Sequence, residues 1–260
     1  MMEYDIKTGD IKTGDIILIT DPSFWSIISA KSTGGDYIHI GIAIRYVNNK
    51  ISLTNDGTLY ILHMNAYKNK DAITNENSYI RHTLFSRLMN SKNVDLIAYR
   101  KIKDIYRTEQ FGELICNFYN NYKNYTYQNY YKIVYMVFDI KDDSSSVTKK
   151  LACNEFVSHF YLKCLDTDNL KHLNESDKLQ YMFGGNSPVS ANLYTPVKFT
   201  SKSSPNSQIF DGPEIVIYDK MTNFTIQSSI LLLLIILIII FIGYVITKIE
   251  KFKFFFIVKI

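Results

Sequence analysis

The sequence predicts an α+β domain over residues 1–220, then one transmembrane helix over 221–247 and a short basic tail over 248–260. Three observations carry this division. Residues 37–46, YIHIGIAIRY, alternate two sets of side chains as a strand does. Residues 108–122 space Phe111, Leu114, Ile115, Phe118 and Tyr122 as the apolar stripe of a helix. From Thr222 to Thr247 no residue is charged, and a bilayer core takes about 20 apolar residues as a helix. A buried core helix is the poorer reading of that run, because it would be apolar on every face and hard to surround.

The elements follow in order. Ile6–Asp15 is a perfect tandem repeat, IKTGD-IKTGD, too short for a repeat architecture. Its second copy runs into Ile16-Ile17-Leu18-Ile19, a short buried strand entered from a Gly-Asp turn. Asp21-Pro22-Ser23 ends that strand, Phe24–Ala30 fits a helical turn, and Thr33–Asp36 is a loop. In the next strand Ile38, Ile40, Ile42 and Ile44 share one face, and Tyr37, His39, Gly41, Ala43 and Arg45 the other. Val47–Lys50 is a hairpin turn, with strand pieces at Ile51–Thr54, Thr58–Met64 and Asp95–Arg100. An antiparallel meander is the natural arrangement. Tyr125–Phe138 fits either element type, and Lys141–Lys150 is a polar connection. A helix then starts at Cys153, and Glu214–Tyr218 forms a last strand.

Composition excludes several classes. The net charge is +4 with the lysines scattered, which is no nucleic-acid signature. Three cysteines do not make a disulfide framework, and no short Cys/His pairing has zinc-site spacing. The opening residues MMEYDIKTGD carry neither a basic n-region nor an apolar h-region, so no signal peptide is expected.

The candidate site residues are Cys153, His39 and His63. Cys153 sits where a helix begins, and a helix N-terminus lowers a thiol pKa and offers free N–H groups to an oxyanion. His39 shares its face with Gly41 and Ala43, whose small side chains leave a slot for the cysteine helix. That would pair thiol and imidazole as nucleophile and base. His63 interrupts the apolar run LYILHMNAY and is the candidate orienter of His39, with Asn65 as the substitute. The alternatives are plain: a lone cysteine is often a small core residue, and a lone strand histidine is often structural. Cys116 and Cys164 are read as structural. His159 falls on the wrong side of its helix, and His82 and His172 lie in polar stretches.

Three motifs together resemble one family. Gly14-Asp15-Ile16-Ile17-Leu18 resembles the opening strand of the NlpC/P60 superfamily of papain-like thiol hydrolases. Ile38-His39-Ile40-Gly41-Ile42 resembles its histidine strand, and Ala152-Cys153-Asn154-Glu155-Phe156-Val157 its cysteine helix. Histidine precedes cysteine here, as in the circularly permuted branch that includes the YiiX-like amidases, the lecithin:retinol acyltransferase family and related poxvirus proteins. The likeness spans roughly residues 13–218. Two positions depart from it: Asn154 stands where the family usually has Ser, and His63 where YiiX-like members tend to carry Glu.

The resemblance implies a central antiparallel sheet packed on the cysteine helix, and cleavage of an ester or amide through a Cys153 thioester. It implies no metal or cofactor. With the anchor, membrane lipids or an acylated substrate become the expected partners, since a tethered domain meets bilayer substrates at high effective concentration. A peptidase or amidase acting on peptide or isopeptide bonds, and an inactive tethered binding module, are the other readings. AT-biased composition and the poxvirus relatives point to a viral source. Lys248, Lys251 and Lys253 would keep the tail cytoplasmic by the positive-inside rule. The lack of a signal peptide instead favours insertion after synthesis, with the catalytic domain in the cytosol. The sequons at Asn124, Asn174 and Asn223 would report which topology holds.

Overall fold

The computed structural model describes residues 8–21, 35–128, 150–165, 170–184 and 196–220. They form an α+β fold around one antiparallel sheet. In chain order the strands and helices are β1 (Ile16–Thr20), β2 (His39–Val47), β3 (Lys50–Ser52), β4 (Thr58–Lys70), β5 (Asn77–Leu84), α1 (Phe85–Met89), β6 (Leu96–Ile102), α2 (Phe111–Tyr122), β7 (Thr126–Tyr127), β8 (Lys150–Leu151), α3 (Cys153–Cys164), α4 (Glu175–Phe183) and β9 (Phe210–Asp219). The main sheet runs β5-β4-β2-β1-β6-β9, with β3 paired to β2, and β7 and β8 form a small parallel pair. The helical turn expected at 24–30, the transmembrane helix at 221–247 and the tail at 248–260 lie outside the described residues. No helix of the described residues is long and apolar enough to cross a membrane.

The Gly14-Asp15 turn locks the sheet centre. Gly14 adopts φ 94°, and a Cβ there would lie 2.7 Å from Phe111 Cε1. Glycine alone answers both demands. The Asp15 carboxylate accepts from the amides of Lys12 (2.8 Å) and Ile102 (2.9 Å) and pairs with the Arg107 guanidinium. Tyr161 of α3 donates to the Gly14 carbonyl at 2.9 Å. The turn therefore ties β1 to β6 and to the cysteine helix. Around it Phe111, Phe118, Phe156, Phe160 and Tyr161 contact one another edge-on or tilted, arrangements that aromatic quadrupoles favour.

One face of the sheet meets α1. Ile17, Ile19, Ala43, Ile61, Ile97 and Tyr99 pack there with Phe85 in a single buried cluster. None of the cluster's buried residues comes from α3. The expected slot beside Gly41 and Ala43 is thus filled differently. A Cβ on Gly41 would meet Ile61 Cγ2 at 2.5 Å and His63 Cβ at 2.9 Å, so its missing side chain admits the neighbouring strand rather than the cysteine helix.

Candidate active site

Register brings the two histidines together. β2 and β4 pair from Tyr46↔Thr58 to Gly41↔His63. His39 lies two residues before Gly41 on the same strand face, which makes it a diagonal neighbour of His63. His39 Nε2 and His63 Nδ1 are 2.8 Å apart, and the rings meet edge-on with centroids 5.1 Å apart. His63 is 4% exposed. Its Nε2 lies 2.8 Å from Thr83 Oγ1 on β5. Asn65 Nδ2 lies 3.2 Å from each ring nitrogen of His63. Asn65 therefore addresses His63, and the contact with His39 belongs to His63.

Both imidazoles are held neutral. Burial, reinforced by the nearby charge of Arg81, lowers His39 to about 4, with Asp21 opposing. Burial also lowers His63 well below the usual imidazole value, and His39 and Arg81 push the same way. With Nε2 engaged by His63, the nitrogen left on His39 to take a proton is Nδ1.

Cys153 opens α3. Ala152 before it is extended, at φ −90° and ψ 167°, and the Phe156 amide closes the first turn on the Ala152 carbonyl at 2.9 Å. Glu155 reaches back to accept from the Ala152 amide at 3.2 Å, the acidic half of a capping box. The thiol is buried, with the residue 7% exposed. The backbone amides of Asn154, Ile40 and Cys153 face the sulfur. Ile40 lies one residue past the last rung of the β2–β4 ladder and immediately after His39. The cysteine helix thus meets the histidine strand through the sulfur and a main-chain N–H, at the end of the sheet where the ladder stops.

The expected drop in thiol pKa is corrected by this geometry. Burial raises Cys153 to about 11, and the three amides pull it down by less. At rest the thiol and the imidazole of His39 are both neutral, and the groups that face the sulfur are main-chain amides. A neutral thiol of this kind can act as a nucleophile only where a base takes its proton during attack. The same amides are then placed to hold negative charge as it develops.

The other cysteines differ. Cys116 is exposed on α2, and Cys164 is buried at the far end of α3. His82, read from the sequence as lying in a polar stretch, is 2% exposed. Its Nδ1 lies 2.9 Å from Asp71 Oδ2 and its Nε2 3.2 Å from the Tyr46 hydroxyl. Tyr119 donates to the same Asp71 oxygen at 3.2 Å. This polar cluster clips the β4–β5 hairpin to α2. Among the described residues no three His, Cys, Asp or Glu side chains are grouped to hold a metal ion.

No family model matches the chain, and no curated protein matches it. Among solved structures it has a weak structural neighbour, the crystal structure of metalloprotein YiiX from Escherichia coli O157:H7. The two are 15% identical with a TM-score of 0.42, over 81% of this chain and 98% of that one.

Proposed function

We propose that this chain is a membrane-anchored cysteine hydrolase or acyltransferase of permuted papain-like fold, acting on an acyl ester or amide. The carrying observation is the His39–His63 contact of 2.8 Å on the strand whose next amide, that of Ile40, faces the Cys153 sulfur. The charge-free run from Thr222 to Thr247 supports the anchor and with it a lipid or acylated substrate.

The steps follow from the groups present. His39 Nδ1 takes the thiol proton as Cys153 Sγ bonds to the acyl carbon. The amides beside the sulfur hold the oxyanion. The carbon's bond to the leaving oxygen or nitrogen breaks, and the imidazolium returns the proton to that leaving group. Water, or an acceptor alcohol or amine, then attacks the thioester with His39 again as base. The thiol is restored, and an acid or a transferred acyl product leaves. His63 holds the His39 ring and spreads its transient charge.

The test is a substrate panel on the full chain in phospholipid vesicles. Long-chain acyl esters and amides, peptides and isopeptides are compared for native protein, Cys153→Ala and His39→Ala. The proposal expects turnover of acyl substrates that Cys153→Ala abolishes. Turnover confined to peptide or isopeptide bonds would assign a peptidase. Equal turnover by native protein and Cys153→Ala would end the thiol mechanism.

A further inference from the structure

We infer that Thr83 is a positioning residue that sets the tautomers of both site histidines. This rests on the function proposed above.

The residue is placed by register. β5 pairs with β4 through Ile61↔Thr83 and His63↔Arg81. Thr83 therefore stands on the strand face of Ile61 and His63, and its Oγ1 is 2.8 Å from His63 Nε2. A β-branched side chain on a strand has few χ1 choices, so the hydroxyl is held there. His63 is buried, and each ring nitrogen has a polar neighbour: Nδ1 meets His39, and Nε2 meets Thr83.

Two proton arrangements satisfy this chain. In one, the Thr83 hydroxyl accepts from His63 Nε2–H. His63 Nδ1 then accepts from His39 Nε2–H, and His39 Nδ1 carries a lone pair. In the other, the hydroxyl donates to His63 Nε2. Every proton then reverses, and His39 carries a hydrogen on Nδ1. A neutral imidazole protonated at Nδ1 cannot take the thiol proton there. Only the first arrangement gives a base. Both rings are neutral, so no third arrangement with an imidazolium competes at neutral pH. We assign the Thr83 hydroxyl the acceptor role, which selects the productive one. Asn65 Nδ2, at 3.2 Å from both ring nitrogens of His63, favours neither tautomer, so the choice falls to Thr83.

Thr83→Val removes the hydroxyl at nearly constant shape, and Thr83→Ser keeps it. The chain holds only five histidines, so ¹⁵N-histidine labelling of the full chain resolves their tautomers by long-range ¹H–¹⁵N correlation. The native spectrum is expected to show His39 and His63 both protonated at Nε2. Thr83→Val is expected to populate His39 protonated at Nδ1, and Thr83→Ser to restore the native pattern. On a turned-over acyl ester, Thr83→Val should lower kcat about tenfold or more with KM unchanged, as loss of one buried hydrogen bond in the transition state implies. Unchanged tautomers in Thr83→Val, or a native His39 already protonated at Nδ1, would overturn the inference. Cys153→Ala separates the two levels. Activity that needs Cys153 and ignores Thr83 defeats this inference alone, whereas activity that survives Cys153→Ala defeats the thiol mechanism.

Discussion

His39 Nε2 and His63 Nδ1, on adjacent antiparallel strands, are 2.8 Å apart, and the amide next to His39 faces the sulfur of Cys153. The imidazole that would serve as base is thus fixed by a second imidazole. This gives the site a distinctive pH behaviour.

His39 is depressed to about 4 by burial, assisted by Arg81. A histidine whose folded pKa lies below its unfolded value of about 6.5 is protonated in the unfolded chain first. Between those values the unfolded state binds more protons. Stability from this group is therefore present above about pH 6.5 and falls as pH drops toward 4. In activity, the acid limb of kcat/KM should fall near pH 4, because only neutral His39 is a base. Arg81→Gln removes a positive neighbour, so it should move that limb to higher pH. A pH–rate profile of native protein and Arg81→Gln checks both statements.

Gly41 stands opposite His63 in the ladder. A methyl there would lie 2.5 Å from Ile61 Cγ2 and 2.9 Å from His63 Cβ. Gly41→Ala should cost about 1–3 kcal/mol of stability through overpacking. It should also lower kcat more than that loss explains, by moving His63 off His39. Urea unfolding and initial rates under fully folded conditions separate the two effects.

Asp15 and Arg107 form a buried pair at the Gly14-Asp15 turn. Asp15→Ala leaves the guanidinium without its carboxylate and strands the amides of Lys12 and Ile102. A loss of about 3–5 kcal/mol is expected, as for breaking other buried pairs. Substituting the exposed Asp10 in the first copy of the repeat to Ala should change stability by less than about 0.5 kcal/mol. Denaturant midpoints of the two variants test this asymmetry between the repeat's copies.

Asp71 carries a second pH signature. Burial opposes its ionisation, but the hydrogen bonds and charge of His82, with the Thr74 and His82 amides, hold its carboxyl well below the usual range. A depressed carboxylate adds stability above its unfolded pKa of about 3.9 and loses it as pH falls further. Asp71→Asn should weaken the fold at pH 6 and flatten the decline below pH 4. Thermal melts across that range provide the check.

Much of this was legible in the sequence because it is local. The alternation of 37–46, the stripe of 108–122 and the start of a helix at Cys153 all appear as elements with close bounds. β5 was not foreseen. Its residues NSYIRHTL mix polar and apolar side chains without clear alternation, and it forms because β4 offers an edge. β4 itself runs on to Lys70 through the polar Asn65–Lys70, where apolar pattern gives no sign of a strand. Whatever depends on β5 was therefore hidden: Thr83 behind His63, Arg81 beside both histidines, and the His82–Asp71 pair. What fills the space beside Gly41 was misjudged for a related reason. Gly41 signals close approach, and register alone reveals that the approaching group is His63.

The most direct measurement is acyl trapping. The full chain is treated briefly with an activated fatty-acyl ester, quenched with acid and mapped by peptide mass spectrometry. Hydroxylamine sensitivity identifies thioesters. The account predicts an acyl thioester on buried Cys153 ahead of exposed Cys116 and buried Cys164, and its slow formation in His39→Ala. Acylation ordered by exposure, with Cys116 first, or indifferent to His39, would contradict it.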